Sequence, residues 1–135
     1  MSFLLDTNVV SEPRRKLPDA RVRAWLRSAD PAGLFLSVLT LGEIAKGIEA
    51  LVSREPARAE ALRDWLAGLR DHFSDRILPV DAAVAETWGR LSSARPLPVV
   101  DGLIAATALT HGFTLVTRNL RDVEGTGVRV INPWE

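Results

Sequence analysis

The segment FLLDTN, residues 3–8, places Asp6 directly after a short apolar run. A short apolar run bounded by polar residues predicts a buried strand. In an open parallel sheet the carboxyl ends of the strands share one edge, so an acid that ends one strand lies near polar residues that follow others. Asp6 is therefore expected to mark the functional edge of such a sheet.

Outward from this segment, apolar runs alternate with helical patterns. The runs that predict further strands span residues 34–38, 77–80, 114–117 and 128–131. Pro79 favours an edge position for the third strand of the chain, because proline cannot donate to a sheet. Apolar residues recur with the spacing of a helix in five places: after Pro18-Asp19, around Leu41, from Pro56, around Val84 and from Asp101. The alternation predicts an α/β fold, a single domain over residues 1–135 with a mostly parallel central sheet flanked by helices.

Three further acids stand at comparable places. Glu43 lies on a predicted helix, Asp101 follows Val99-Val100, and Asp122 lies just beyond the strand predicted over 114–117. Carboxylates brought together repel and stay ionised only if a cation offsets their charge. These acids together with Asp6 predict a divalent metal site.

Each acid also has a simpler interpretation. Asp6 and Asp101 could cap helices, since aspartate after a strand often does so. Glu43 could be a solvated helix residue. However, Gly47 stands one turn after Glu43 and leaves that flank of the helix open, although glycine costs about 1 kcal/mol of helix stability relative to alanine. This favours a functional role for Glu43.

The composition is typical of a globular protein, with 47% hydrophobic and 25% charged residues. No apolar run approaches the roughly 20 residues that cross a bilayer, and we expect no signal peptide and no membrane contact. The absence of cysteine excludes thiolate metal ligands and is compatible with a cytoplasmic location. The net charge is +0, so only a local cluster, Arg14, Arg15 and Lys16, favours a phosphodiester partner. A solvated surface is the alternative for that cluster.

Other types of site lack their motifs. His72 and His111 have no partner at zinc-ligand spacing. The phosphate-binding glycine loops and the G-x-S-x-G elbow are absent. Hard oxygen ligands without sulfur favour Mg²⁺ or Mn²⁺.

Four segments of the chain together match the motifs of a known family. They are LLDTNVVSE, LTLGEIAKGIEAL, VVDGLIAATALTHG and TLVTRNLRDVEGTGVRVINPW. Together they resemble the PIN-domain ribonucleases, in particular the VapC toxins of type II toxin–antitoxin systems and their FitB-like branch. The resemblance runs essentially end to end. It implies a Mg²⁺- or Mn²⁺-dependent endoribonuclease that hydrolyses RNA with its acidic cluster.

The resemblance also implies partners. A VapB- or FitA-like antitoxin would inhibit the enzyme, its extended tail covering the helices between Leu39 and Phe73 and a basic residue entering the acidic pocket. DNA would be reached only indirectly, through the antitoxin. A homodimer and a cytoplasmic location are implied as well.

Residue by residue, the resemblance assigns metal binding to Asp6, Glu43 and Asp101. The fourth acidic position is divided: Asn119 stands where many members carry an acid, and Asp122 matches an alternative pattern. Since hard dications prefer charged oxygen ligands, Asp122 is expected to act at the site, through a water. Residues that match polar positions which orient the acids are Thr7, Asn8 and Thr117.

Two alternatives belong to other classes. Asp6 could be the nucleophile of a haloacid-dehalogenase-type phosphohydrolase, although that class requires a second aspartate where Asn8 stands. The chain could also be a binding or scaffold module whose four acids only cap helices, and such a protein would be independent of metal.

Overall fold

The computed structural model describes residues 1–135. The strands are β1 Phe3–Leu5, β2 Leu34–Ser37, β3 Ile77–Leu78, β4 Thr114–Val116 and β5 Val130–Ile131. The helices are α1 Thr7–Ser11, α2 Ala20–Ser28, α3 Val38–Glu49, α4 Pro56–His72, α5 Ala82–Ala94, α6 Val99–His111 and α7 Leu120–Val123. Two 3-10 turns span Glu12–Arg14 and Pro31–Gly33.

The five strands form one parallel sheet in the order β3-β2-β1-β4-β5. Strand β1 is central, with Phe3 paired to Leu34 on one side and to Thr114 on the other. Strand β3 lies at the edge, as Pro79 predicted. The α/β prediction is confirmed, and the carboxyl end of β1 opens at the middle of one sheet edge.

Helices cover both faces of the sheet, because side chains of a strand alternate between faces. Leu5 belongs to a core cluster that includes Val9 of α1, Val22 of α2 and Ile44 of α3. Its neighbour Leu4 belongs to a second cluster, formed with α6 and α7. The two layers hold the ends of α1, α3, α6 and α7 around the carboxyl end of β1.

Several predicted boundaries are wrong by a few residues. Helix α6 begins at Val99 rather than at Asp101. Strand β2 ends at Ser37, whose hydroxyl accepts a 3.0 Å bond from the Leu39 amide and so starts α3 earlier than predicted. Of the strand predicted over 128–131, only Val130–Ile131 forms a strand, β5. Helix α6 ends at His111, and Gly112 caps it at a φ of 68°, a conformation that glycine adopts without strain.

The apolar side of α4 is only partly buried. Ala59 and Phe73, which follows the helix, are buried, whereas Leu62, Trp65, Leu66 and Leu69 pack partly buried against the core. Helix α4 therefore packs as an outer layer on α3. None of the helices combines the length and the apolar character that a bilayer crossing requires.

Candidate active site

Asp6 ends β1 and caps α1. Its Oδ1 accepts a 2.8 Å hydrogen bond from the Thr7 amide, and its Oδ2 accepts a 2.6 Å bond from the Thr117 hydroxyl. The residue is only 7% exposed. Burial raises the pKa of Asp6, these two hydrogen bonds oppose that rise, and the charges of Glu43 and Asp122 add to it. Asp6 therefore caps α1 through one carboxylate oxygen while the other oxygen contacts Thr117.

Glu43 is brought to the same place by α3. The Thr7 hydroxyl donates a 2.5 Å hydrogen bond to Oε1 of Glu43 and lies 3.1 Å from the hydroxyl of buried Thr40. Thr7 therefore links the two acids, with its amide on Asp6 and its hydroxyl on Glu43. Glu43 is half-buried and oriented, unlike a solvated helix residue.

Asp101 lies in the first turn of α6 and is half-buried. The residue that caps α6 is Pro98, so the interpretation of Asp101 as a helix cap is wrong. The pKa of Asp101 is raised to about 6, first by burial and then by the negative charges of Asp6, Asp122 and Glu43. Asp101 is therefore a close electrostatic neighbour of all three other predicted acids.

The two candidates for the fourth acidic position, Asp122 and Asn119, have different surroundings. Asp122 is half-buried on α7, and its charge raises the pKa of both Asp6 and Asp101. Asn119 is exposed, and its backbone amide donates a 3.0 Å bond to the Thr117 hydroxyl. Asn119 thus supports Thr117, whereas Asp122 supplies charge to the pocket.

The four acids, Asp6, Glu43, Asp101 and Asp122, are not arranged as a complete set of metal ligands. No group of three or more His, Asp or Glu side chains stands in an arrangement that could hold a metal ion as it is. Like charges separate in the absence of a cation. Near the acids, the side-chain oxygen of Asn8 is buried without a hydrogen-bond partner, so Asn8 makes no contact that would orient an acid.

The residues of the predicted basic cluster, Arg14, Arg15 and Lys16, have different surroundings. Arg14 lies over the ring of Trp65, with Cζ 5.7 Å from the ring centroid, and lines an open groove of about 390 Å³ together with Thr7 and Glu43. Arg15 also lines the groove, but its guanidinium lies 3.4 Å from the buried carboxylate of Glu12.

Lys16, the third residue of the cluster, is exposed and does not line the groove. Of the three basic residues, Arg14 is thus the one that is both at the groove and without a carboxylate partner.

Comparison with known proteins agrees with this geometry. The PIN domain model matches residues 3–123. The chain belongs to the PIN-domain family.

Among curated relatives, this PIN domain is 37% identical to Toxin FitB of Neisseria gonorrhoeae over 98% of each chain. It is 34% identical to VapC ribonuclease Y4jK of Sinorhizobium fredii, again over 98% of each chain. The VapC and FitB resemblance predicted from the sequence is confirmed.

Solved structures give the same result. The structure described as FitAcB from Neisseria gonorrhoeae superposes with a TM-score of 0.92 at 36% identity, covering 98% of this chain and 99% of that one. The structure of FitAB bound to IR36 DNA fragment superposes with a TM-score of 0.89 at 34% identity, covering 98% and 96%. The architecture is that of the PIN toxins throughout.

Two contacts of this site were not predicted from the sequence. Thr40 stands three residues before Glu43, a spacing that places both on one helix flank, so periodicity could have identified it. Arg95 donates to the carbonyl oxygens of Arg121, at 2.7 Å, and Glu124, and so holds α7 in place. No local pattern indicates Arg95, because its partners lie 26 and 29 residues away.

Proposed function

We propose that this chain is the toxin of a type II toxin–antitoxin pair and a Mg²⁺- or Mn²⁺-dependent endoribonuclease. The observation that carries the proposal is the gathering of acids at the carboxyl edge of the sheet, where Thr7 links Asp6 to Glu43 and the charges of Asp6, Glu43 and Asp122 act on Asp101. Similarity over 98% of the chain to proteins named as a toxin and as a ribonuclease supports it. The substrate class is RNA, cleaved at its phosphodiester bonds.

The donor chemistry fits a hard dication. Asp6, Glu43 and Asp101 offer carboxylate oxygens, and the pKa of Asp101 is raised by burial and then by neighbouring negative charges that a dication would offset. Mg²⁺ retains several waters and needs few carboxylates. Asp6, Glu43 and Asp101 would hold the ion after moving closer together, because a cation offsets the repulsion between them.

When bound, the ion would lower the pKa of an attacking water and neutralise charge on the attacked phosphate. The chain supplies orientation: the Thr117 and Thr7 hydroxyls hold Asp6 and Glu43. Asp122 is bound by no threonine and lies beside Asp101, and in this proposal its carboxylate accepts the proton of the attacking water. His111 is not available, since it lies at the opposite end of α6 from Asp101, about 15 Å away by helix rise.

The alternative functions fit the contacts less well. A nucleophilic Asp6 of the haloacid-dehalogenase type would need a second aspartate two residues later, where Asn8 stands instead. A module whose acids only cap helices would need caps at Asp101 and Asp122, and neither residue caps its helix. Only Asp6 of the four acids has that role.

The groove between α3 and α4 supports an antitoxin partner. It is lined by Ile48, Leu51 and Leu62 at one end and reaches Glu43 and Thr7 at the other. An extended apolar peptide with a basic residue would complement both ends, and binding there would block the acids. Through such a partner the toxin would associate with DNA indirectly. A homodimer is part of the same proposal and is measurable by sedimentation equilibrium.

The decisive experiment is cleavage of labelled single-stranded RNA by the purified protein with Mn²⁺ and with EDTA. We expect Mn²⁺-dependent cleavage that Asp6→Asn abolishes and that Asp64→Asn, the same change at an exposed position of α4, leaves intact. Cleavage that persists in EDTA would refute metal dependence. Equal activity of Asp6→Asn and wild type would refute the assigned site.

The biological role needs a second experiment. Expression of wild type alone should arrest growth, and co-expression of the cognate antitoxin should restore it. If Asp6→Asn and wild type were equally harmless, the toxin proposal would lose its support.

A further inference from the structure

Three arginines lie over aromatic rings, and one of them is fully engaged by the protein. The guanidinium of Arg76 lies 4.8 Å from the Phe73 ring centroid. It also donates to three backbone carbonyl oxygens, those of Pro31 at 2.5 Å, Leu34 at 2.9 Å and His72 at 2.9 Å. Arg76 therefore joins secondary-structure elements and has little donor capacity for a ligand.

Arg118 and Arg14 are different. Arg118 lies with Cζ 5.1 Å from the ring centroid of Trp134, and Arg14 lies 5.7 Å from that of Trp65. Neither guanidinium forms an ion pair or donates a hydrogen bond within the protein. Each keeps its five N–H donors available while a ring fixes its plane, the state in which arginine recognises phosphate.

The indole beneath Arg118 is held rigidly. The amide of Trp134 donates a 3.0 Å bond to the side-chain oxygen of Asn132. Trp134 is only 6% exposed and belongs to the same core cluster as Val10 and Val116. Its ring is therefore a fixed support for the guanidinium and is too buried to stack on a base.

The two free arginines flank the acids. Arg118 directly follows Thr117, whose hydroxyl binds Asp6, so its Cα is about 3.8 Å from that of Thr117. Arg14 lines the groove that contains Glu43. In the sheet order, β4 and β5 lie on one side of β1, and β2, which leads into α3, lies on the other. Arg118 and Arg14 consequently stand on opposite sides of Asp6.

We propose that Arg118, supported by Trp134, is a phosphate anchor for an RNA strand that crosses the acids from Arg14. The inference rests on the ribonuclease function proposed above and assigns its substrate path. It gives the carboxyl-terminal turn a role in binding. It also reduces the predicted basic cluster to one anchor on that side, because Arg15 is engaged by Glu12.

The test measures binding of a labelled single-stranded RNA in Ca²⁺ across a salt series. The variants are Arg118→Gln, Arg118→Lys, Arg14→Gln and the double Gln variant. Arg129→Gln is the matched control, because Arg129 precedes β5 and donates to the Gly112 carbonyl at the opposite sheet edge. Thermal denaturation of each variant shows whether the fold is retained.

Loss of one phosphate contact should reduce the slope of log affinity against log salt by about 0.7. The ratio of wild-type to variant affinity should then change about fivefold over a tenfold range of salt concentration. We expect this reduction for each single Gln variant, twice this reduction for the double variant, and none for the control. Arg118→Lys should keep the slope and bind more weakly, since it retains charge without the planar fork. Trp134→Phe, which keeps a ring, should retain the slope.

An unchanged slope for Arg118→Gln, beside a reduced slope for Arg14→Gln, would overturn the inference and leave the ribonuclease proposal intact. Absence of any RNA binding by wild type would overturn both. Equal losses in Arg118→Gln and Arg129→Gln would indicate a diffuse charge effect and would also overturn the inference.

Discussion

The hydroxyl of Thr117 donates a 2.6 Å hydrogen bond to Oδ2 of Asp6, joining two residues that lie 111 positions apart in the sequence. Both residues are buried, and they stand at the carboxyl ends of adjacent strands. The bond favours the ionised form of a carboxylate that burial otherwise disfavours. Thr117 therefore orients Asp6 and opposes the effect of burial on the pKa of its carboxyl group.

Thr117→Val should destabilise the protein and impair the site. Valine preserves the shape but leaves Asp6 without its hydroxyl donor, a loss we expect to cost about 1–3 kcal/mol of unfolding free energy. Urea denaturation near neutral pH measures the loss. Thr117→Ser, which retains the hydroxyl, should lie within about 1 kcal/mol of wild type. A Val variant as stable as the Ser variant would contradict this role of the bond.

The raised pKa of Asp101 predicts a pH dependence in the metal-free protein. Asp101 binds a proton more tightly in the folded state than in the unfolded state. Its contribution to the free energy of unfolding is therefore highest below its ordinary pKa of about 3.9 and is lost as the pH rises. The loss should be complete once the pH passes the folded pKa of about 6. Thermal denaturation of wild type and Asp101→Asn between pH 4.5 and 7.5 tests it. The Asn variant should lose this component, and an identical profile for both proteins would contradict the prediction.

Asp122 should matter more for catalysis than Asn119. Asp122 adds negative charge beside Asp6 and Asp101, whereas the side chain of Asn119 makes no hydrogen bond and only its backbone amide contacts Thr117. We expect Asp122→Asn to reduce RNA cleavage at saturating Mn²⁺ by at least about a hundredfold, in the range of a positioned general base. Asn119→Ala should remain within a few-fold of wild type. If the two results were exchanged, Asn119 would hold the fourth position.

Close packing beside Asp101 should make Gly102 intolerant of a side chain. A Cβ there would lie 3.2 Å from the Trp88 ring and 3.4 Å from Cβ of Leu97. Gly102→Ala should therefore cost about 1–3 kcal/mol by overpacking and should displace the first turn of α6.

The matched control for Gly102→Ala is Gly89→Ala. Gly89 lies within α5, and a Cβ there would meet nothing within 4 Å. This variant should gain about 0.5–1 kcal/mol from helix propensity. Guanidinium denaturation of both variants gives the comparison, and destabilisation of equal size would contradict the packing argument.

The sequence by itself determined the parallel α/β sheet and the edge position of β3, and it predicted Asp6, Glu43 and Asp101 as site residues while leaving the fourth position between Asp122 and Asn119. These features are local: hydrophobic periodicity, a proline that cannot donate, and acids at the ends of apolar runs are all readable within a few residues. The end of α6 at Gly112 was predictable for the same reason, because a left-handed cap favours glycine. Its start was not, since neither Val99 nor Pro98 supplies a side-chain cap signal.

Only the tertiary structure decided how these residues act together. It gave Asp122 and Asn119 different surroundings, because the turn after β4 and the bonds from Arg95 to the carbonyls of Arg121 and Glu124 bring the charge of Asp122 near Asp6 and Asp101. It separated Arg14 from Arg15 through the buried carboxylate of Glu12. Such contacts depend on residues distant in sequence whose approach follows from packing the whole chain, and no local pattern encodes that approach.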